Sequence, residues 1–107
     1  MNKIINAGEV FKLTDLLPYE DGKIAKMDLI NEDEVEFLLM SFDKDTELTE
    51  HSAPGEVLFF ALEGKGIIGY EGEEHHIKAG EVFKFDKGAI HYVKAPEKFK
   101  MGLLLIL

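Results

Sequence analysis

The stretch EVLFFALEGKGIIGYEGEEHHI, residues 56–77, decides the fold. Its first part, EVLFFALEG, is a short apolar run, as expected of a strand that is covered on both faces. Its second part, GIIGYEGEEHHI, carries Glu71 and Gly72 between two strand-like runs, which predicts a tight hairpin turn. We therefore interpret this region as antiparallel strands.

Strand-like runs also flank this region on both sides. A single helical turn is predicted near the start, where Thr14 caps DLL and Pro18 ends it. Glycines interrupt the second half of the chain at short intervals, and glycine allows the backbone angles that tight corners require. The sequence therefore predicts an all-β sandwich or barrel, with further strands in 23–30, 34–42, 81–85, 89–93 and 99–107.

Composition limits the functions open to this chain. Its 107 residues suit one domain, and the absence of cysteine leaves only His, Asp and Glu as strong metal ligands. A net charge of -9 without a basic patch argues against nucleic acid as a partner. No apolar run is long enough for a signal peptide or a membrane span, so we expect a soluble cytoplasmic protein without a membrane partner.

Two spaced motifs resemble those of the cupin superfamily, and of its small single-domain members in particular. HSAPGEVLFFALEG (51–64) keeps the family's His51 and Gly64, and AGEVFKFDKGAIHYV (79–93) keeps Gly80, Gly88 and His91. The resemblance implies a double-stranded β-helix, which is a jelly-roll barrel. It implies a single domain over 1–107, with N-terminal strands and a short helical turn in 1–34 and the barrel core in 35–107.

The chain departs from the family pattern at several motif positions. Members of the family bind one metal through two His and a Glu of the first motif and a His of the second. Here the second His is Ala53 and the Glu is Val57, so the resemblance carries over only His51 and His91 as metal ligands. The other departures fall on the opening Gly of the first motif and on the Pro and Asn of the second, which are Asp45, Asp86 and Ala95.

Strand alternation predicts which side chains line the barrel. Val57 and Phe59 share one face, and the family register turns that face inward, so Glu56 would reach the site only if a bulge after Pro54-Gly55 rotated it. The predicted small-molecule site consists of His51, Glu56, Val57, Phe59 and His91. His75 and His76 are adjacent in a strand and are interpreted as ordinary surface or half-buried histidines.

The opposite face of the same strands is also apolar. It contains Leu58, Phe60 and Leu62, and the C-terminal run 103–107 is apolar on both faces. Such a face packs on another sheet or another chain, so we expect a homodimer. The alternative is that N-terminal strands cover it within one chain.

Two functions remain open at this point. The first is an enzyme acting on a small organic molecule, with a divalent metal such as Fe, Mn, Ni or Zn held at His51 and His91, or with the histidines as acid and base. The second is a binding or sensing module without metal, since Ala53 and Val57 make the cavity drier. The residues do not select a reaction, and the fold alone does not decide between the two classes.

Overall fold

The computed structural model describes all 107 residues and confirms an all-β protein. One short 3-10 helix, Leu13–Asp15, precedes eight strands. The strands are β1 Ile24–Asn31, β2 Val35–Phe42, β3 Thr46–His51, β4 Glu56–Tyr70, β5 Glu73–Lys78, β6 Val82–Phe85, β7 His91–Ala95 and β8 Phe99–Ile106. The chain has no helix of the length and apolarity needed to cross a membrane.

The 15-residue strand β4 connects two halves of a curled antiparallel sheet. Its first half pairs with β8 and β6, and β8 continues to β2 and β1. Its second half pairs with β5 and β7, and β7 continues to β3. The two halves therefore face each other as the walls of a barrel, and β4 carries the chain from one wall to the other.

The hairpin between β4 and β5 turns where the sequence predicts. Glu71 and Gly72 have φ angles of 48° and 84°, so both residues of the two-residue loop adopt the left-handed backbone conformation. Two left-handed residues match the twist of antiparallel strands in a tight hairpin. The sequence pattern indicates separate runs within 56–77, whereas the structure makes residues 56–70 one continuous strand.

Two sequence predictions differ from the structure near the turns. The predicted cap at Thr14 is wrong, because the helical turn begins at Leu13 and contains Thr14 instead of starting after it. Strand β3 was not predicted, since TELTEH is polar and has only two half-buried positions. Its strand conformation depends on pairing with β7, which no local pattern reports.

The core lies between the two walls and is built largely from aromatic rings. Phe59 stacks on Phe99 with ring centroids 6.1 Å apart and also contacts Phe85 at 5.9 Å. All three rings are fully buried. Val57 and Ala61 point inward beside Phe59, which agrees with the predicted inner face of β4.

Candidate functional site

One cavity opens inside the barrel, with a volume of about 270 Å³. Six of its nine lining residues are hydrophobic, and the remaining three are Lys26, His51 and His91. Three other depressions, of about 410, 230 and 500 Å³, have at most two hydrophobic lining residues each. We therefore take the interior cavity as the candidate site, since small-molecule sites are concave and mostly apolar.

The two histidines meet across strands β3 and β7. Their ring centroids are 4.2 Å apart, and their Cα atoms are register partners. Leu48 pairs with Val93, and regular alternation along β3 from Leu48 would turn Glu50 toward the cavity. The register of the β3–β7 pairing, however, shifts between Leu48 and His51. This bulge in β3 turns His51 toward the cavity, as an extra residue in one strand reverses the facing of those that follow.

Main-chain hydrogen bonds fix the tautomer of both rings. The Nδ1 atom of His91 lies 3.1 Å from the carbonyl oxygen of Ala89, and Nδ1 of His51 lies 2.8 Å from that of Thr49. Because a carbonyl only accepts, each Nδ1 carries the proton that it donates. In this tautomer the Nε2 atom carries the lone pair, and no side-chain hydrogen bond of the protein uses it.

The surroundings of His91 favour its neutral form. The residue is only 2% exposed, and its ring stacks on Phe85 at a centroid distance of 4.2 Å. Burial lowers the pKa of His91 below its usual value, and the neighbouring His51 lowers it further, against an opposing effect of the Ala89 carbonyl. At neutral pH the cavity therefore holds an uncharged, hydrogen-bond-accepting imidazole.

The predicted site residues do not all reach the cavity. His51, Val57 and His91 line it, whereas Phe59 lies deeper, in the aromatic core. Glu56 faces outward and its carboxylate lies 2.9 Å from Lys84 Nζ, which also pairs with Asp86 at 2.9 Å. The bulge occurs in β3 and not after Pro54-Gly55, so Glu56 keeps the outward direction that alternation gives it.

Lys26 is the one charged residue of the cavity lining that lies outside the predicted site; the apolar residues outside it are Leu38, Met40, Leu48, Ala53 and Leu103. Lys26 lies on β1 opposite Met40 of β2, and both side chains line the cavity. The signal available in the sequence was weak, because KIAKMDLI is an ordinary alternating strand in which lysine looks like a solvent-facing residue. Only the curl of β1 toward β3 brings this strand to the mouth of the barrel.

The residues present do not fit the family's metal site. A divalent ion in such a site takes at least three protein ligands. No group of three or more His, Asp or Glu side chains is placed to share one ion. Ala53 and Val57 line the cavity where the family has ligands, and the cationic side chain of Lys26 lies in the same lining.

The remaining histidines lie elsewhere, on strand β5. His75 is half-buried and its ring lies 5.0 Å from that of Phe83, while His76 is exposed. Neither lines the interior cavity, in agreement with their interpretation as ordinary surface or half-buried residues.

Comparison with known proteins agrees with the fold. A family model described as "Cupin domain" matches residues 38–107. An uncharacterized protein of Aquifex aeolicus (strain VF5) is 28% identical in an alignment of 101 residues that covers 91% of this chain and 82% of that protein.

Solved structures extend the similarity to nearly the whole chain. A cupin superfamily protein from Desulfitobacterium hafniense DCB-2 superimposes with a TM-score of 0.92 at 20% identity, covering 96% of this chain and 94% of its own. A Cupin 2 conserved barrel domain protein from Leptotrichia buccalis gives 0.88 at 33% identity, covering 91% of this chain and 47% of the other. Enzymes also occur among the structural neighbours, at 20% identity or less, which is a likeness of fold alone.

Proposed function

Since this chain belongs to the cupin domain family, we propose that its barrel binds a small organic molecule without a resident metal. The observation that carries the proposal is the lining of the interior cavity, in which six of nine residues are hydrophobic and two imidazoles offer Nε2 atoms that no other side chain binds. Apolar walls with a few polar groups are typical of small-molecule sites.

The volume of the cavity limits the size of this molecule. At roughly 30 Å³ for each water-sized group, 270 Å³ accommodates about nine non-hydrogen atoms. Leu38, Met40 and Leu103 supply an apolar wall, and the histidines lie on the opposite side, at the β3–β7 pairing. The ligand that suits this cavity is therefore compact and mainly apolar.

A cavity-filling substitution tests this proposal. We expect Ala53→Leu to abolish binding of small apolar fragments, because the larger side chain occupies the cavity that Ala53 lines. The control is Ala7→Leu, the same change at an exposed position outside the cavity. Binding is measured as fragment-induced NMR chemical-shift changes at the lining residues, and equal responses from both variants would contradict the proposal.

A metal-dependent enzyme is the second candidate, because the rings of His51 and His91 lie close enough to act on one group. Metal analysis of the purified protein separates the two functions. Stoichiometric Fe, Mn, Ni or Zn that is lost in both His51→Ala and His91→Ala would favour the enzyme. The binding function predicts no stoichiometric metal in the wild-type protein or in either variant.

A further inference from the structure

Lys26 is the only lysine, arginine or acidic side chain in the lining of the interior cavity. Its strand pairs with β2 so that Lys26 stands opposite Met40, and Met40 belongs to the apolar wall. Lys26 is exposed, and an exposed lysine keeps its charged group in water while its stem lies along apolar surface. The cavity thus combines an apolar interior with one cationic group at its entrance.

No carboxylate neutralises this lysine. The ion pairs of the chain involve the N-terminal ammonium group, Lys84 and Lys94, and none involves Lys26. Asp28 follows on the same face of β1 but neither lines the cavity nor forms an ion pair with Lys26. The whole chain has 21 acidic residues and a net charge of -9. The cavity, by contrast, is lined by a lysine and by no acidic residue, so its local charge is opposite in sign to that of the protein.

In the tautomer that the main chain selects, the free ring nitrogen of each histidine is a hydrogen-bond acceptor. Each ring donates its Nδ1–H to a main-chain carbonyl, which leaves Nε2 as the unprotonated nitrogen, and an acceptor does not hydrogen-bond to a carboxylate. His91 in particular is kept neutral by burial beside Phe85. Lys26 is therefore the one ammonium group in the lining of the cavity.

We propose that the ligand of this cavity is a small organic anion, a carboxylate on a compact apolar body, with Lys26 holding the carboxylate. The inference rests on the proposed binding function and specifies the chemical class of its ligand. The apolar body lies against Leu38, Met40 and Leu103 while the charged end stays at the mouth, where Lys26 is. This orientation leaves the anion partly hydrated and keeps charge out of the aromatic core.

Matched pairs of fragments test the charge separately from the shape. The probes are phenylacetate and phenylacetamide, which have the same size and differ in charge, together with the pair hexanoate and hexanamide. We expect the carboxylates to bind the wild-type protein about tenfold more tightly than the amides at low ionic strength, as charge-assisted hydrogen bonds are the stronger ones. Added salt should reduce this preference, because the lysine is exposed to screening.

Substitution of the lysine assigns the effect. Lys26→Gln should remove the preference for carboxylates over amides, whereas Lys23→Gln, at an exposed neighbouring position outside the cavity, should keep the preference. Dissociation constants are measured by NMR titration, with chemical shifts of the lining residues as the readout.

The outcomes separate this inference from the proposed function. Equal binding of acids and amides to the wild-type protein overturns the inference and leaves the binding function standing. A carboxylate preference that survives Lys26→Gln also overturns it, since another group then holds the anion. If no fragment of either pair shifts the lining residues, the proposed function fails and the inference fails with it.

Discussion

At the scale of single residues, His91 depends most on its surroundings. Three contacts define its state: the stack on Phe85, the edge contact with His51, and the hydrogen bond to the carbonyl of Ala89. The cavity lining contains two further titratable side chains, His51 and Lys26. Burial makes protonation of His91 unfavourable in the folded state, so this residue couples folding to pH.

This coupling predicts lower stability in mild acid. Because the folded pKa of His91 is lowered, the unfolded chain takes up more protons below about pH 6.5, the usual histidine value. Stability from the neutral ring is thus fully present above about pH 6.5 and is lost as pH falls toward the folded pKa. One such group contributes at most about 1.4 kcal/mol per pH unit.

Urea unfolding at about pH 7.5 and about pH 5 measures the effect. We expect His91→Gln to reduce the loss of stability between these two conditions, because it removes the titrating ring. His76→Gln, at an exposed histidine on β5, should leave the loss unchanged. An identical pH dependence in the wild-type protein and His91→Gln would show that His91 is not responsible.

At the scale of elements, one hexapeptide adopts two structures in this chain. AGEVFK occurs at residues 7–12 and again at 79–84. Gly8 and Gly80 both have positive φ, at 80° and 93°. The second copy then enters β6 and pairs with β4, whereas the first copy joins no strand and leaves its valine fully exposed. The glycine conformation is local, but the strand requires a partner.

The repeat supplies a matched pair of substitutions. Phe83 contacts the rings of Tyr70, His75 and Phe85 at centroid distances of 5.0 to 5.5 Å, while Phe11 is 46% exposed. We expect Phe83→Ala to lower the free energy of unfolding by about 2 kcal/mol and Phe11→Ala by less than about 0.5 kcal/mol. Chemical denaturation measures both, and similar losses would mean that residues 7–12 are packed in solution.

At the scale of the whole molecule, an apolar patch remains uncovered on the outer face of one sheet. Phe37, Leu104 and Leu58 form a row across β2, β8 and β4, and Phe60 and Val82 form the next row. Leu58 is 39% and Val82 52% exposed. The N-terminal segment covers another part of this face, where its Leu17 carbonyl accepts the hydroxyl hydrogen bond of Ser41.

We expect this patch to be the interface of a homodimer, because exposed apolar faces of this kind mark association sites. Leu58→Glu should convert the dimer to a monomer by placing a charge in the interface. Ile90→Glu, at an apolar residue that is 45% exposed outside the patch, should leave the dimer intact. Sedimentation at tens of micromolar distinguishes the two, and a wild-type monomer would refute the interface.

The sequence by itself determined the strand framework of this protein. All strands except β3, the hairpin at Glu71 and Gly72, and the shared face of Val57 and Phe59 follow from hydrophobic patterning and from glycine placement, which act over a few residues. The resemblance to the family implied that this shared face points inward. The family motifs also supplied the two histidines. These features are predictable because each depends on neighbours in the chain.

Only the tertiary structure decided what surrounds the histidines. The bulge that turns His51 inward depends on the pairing of β3 with β7. The entry of Lys26 into the cavity lining and the ion pair of Glu56 with Lys84 each bring together residues of different strands. The same holds for AGEVFK, which becomes a strand only where β4 offers backbone partners. Local sequence sets the backbone preference of a residue, but pairing and curvature, which are set by the whole chain, choose its neighbours.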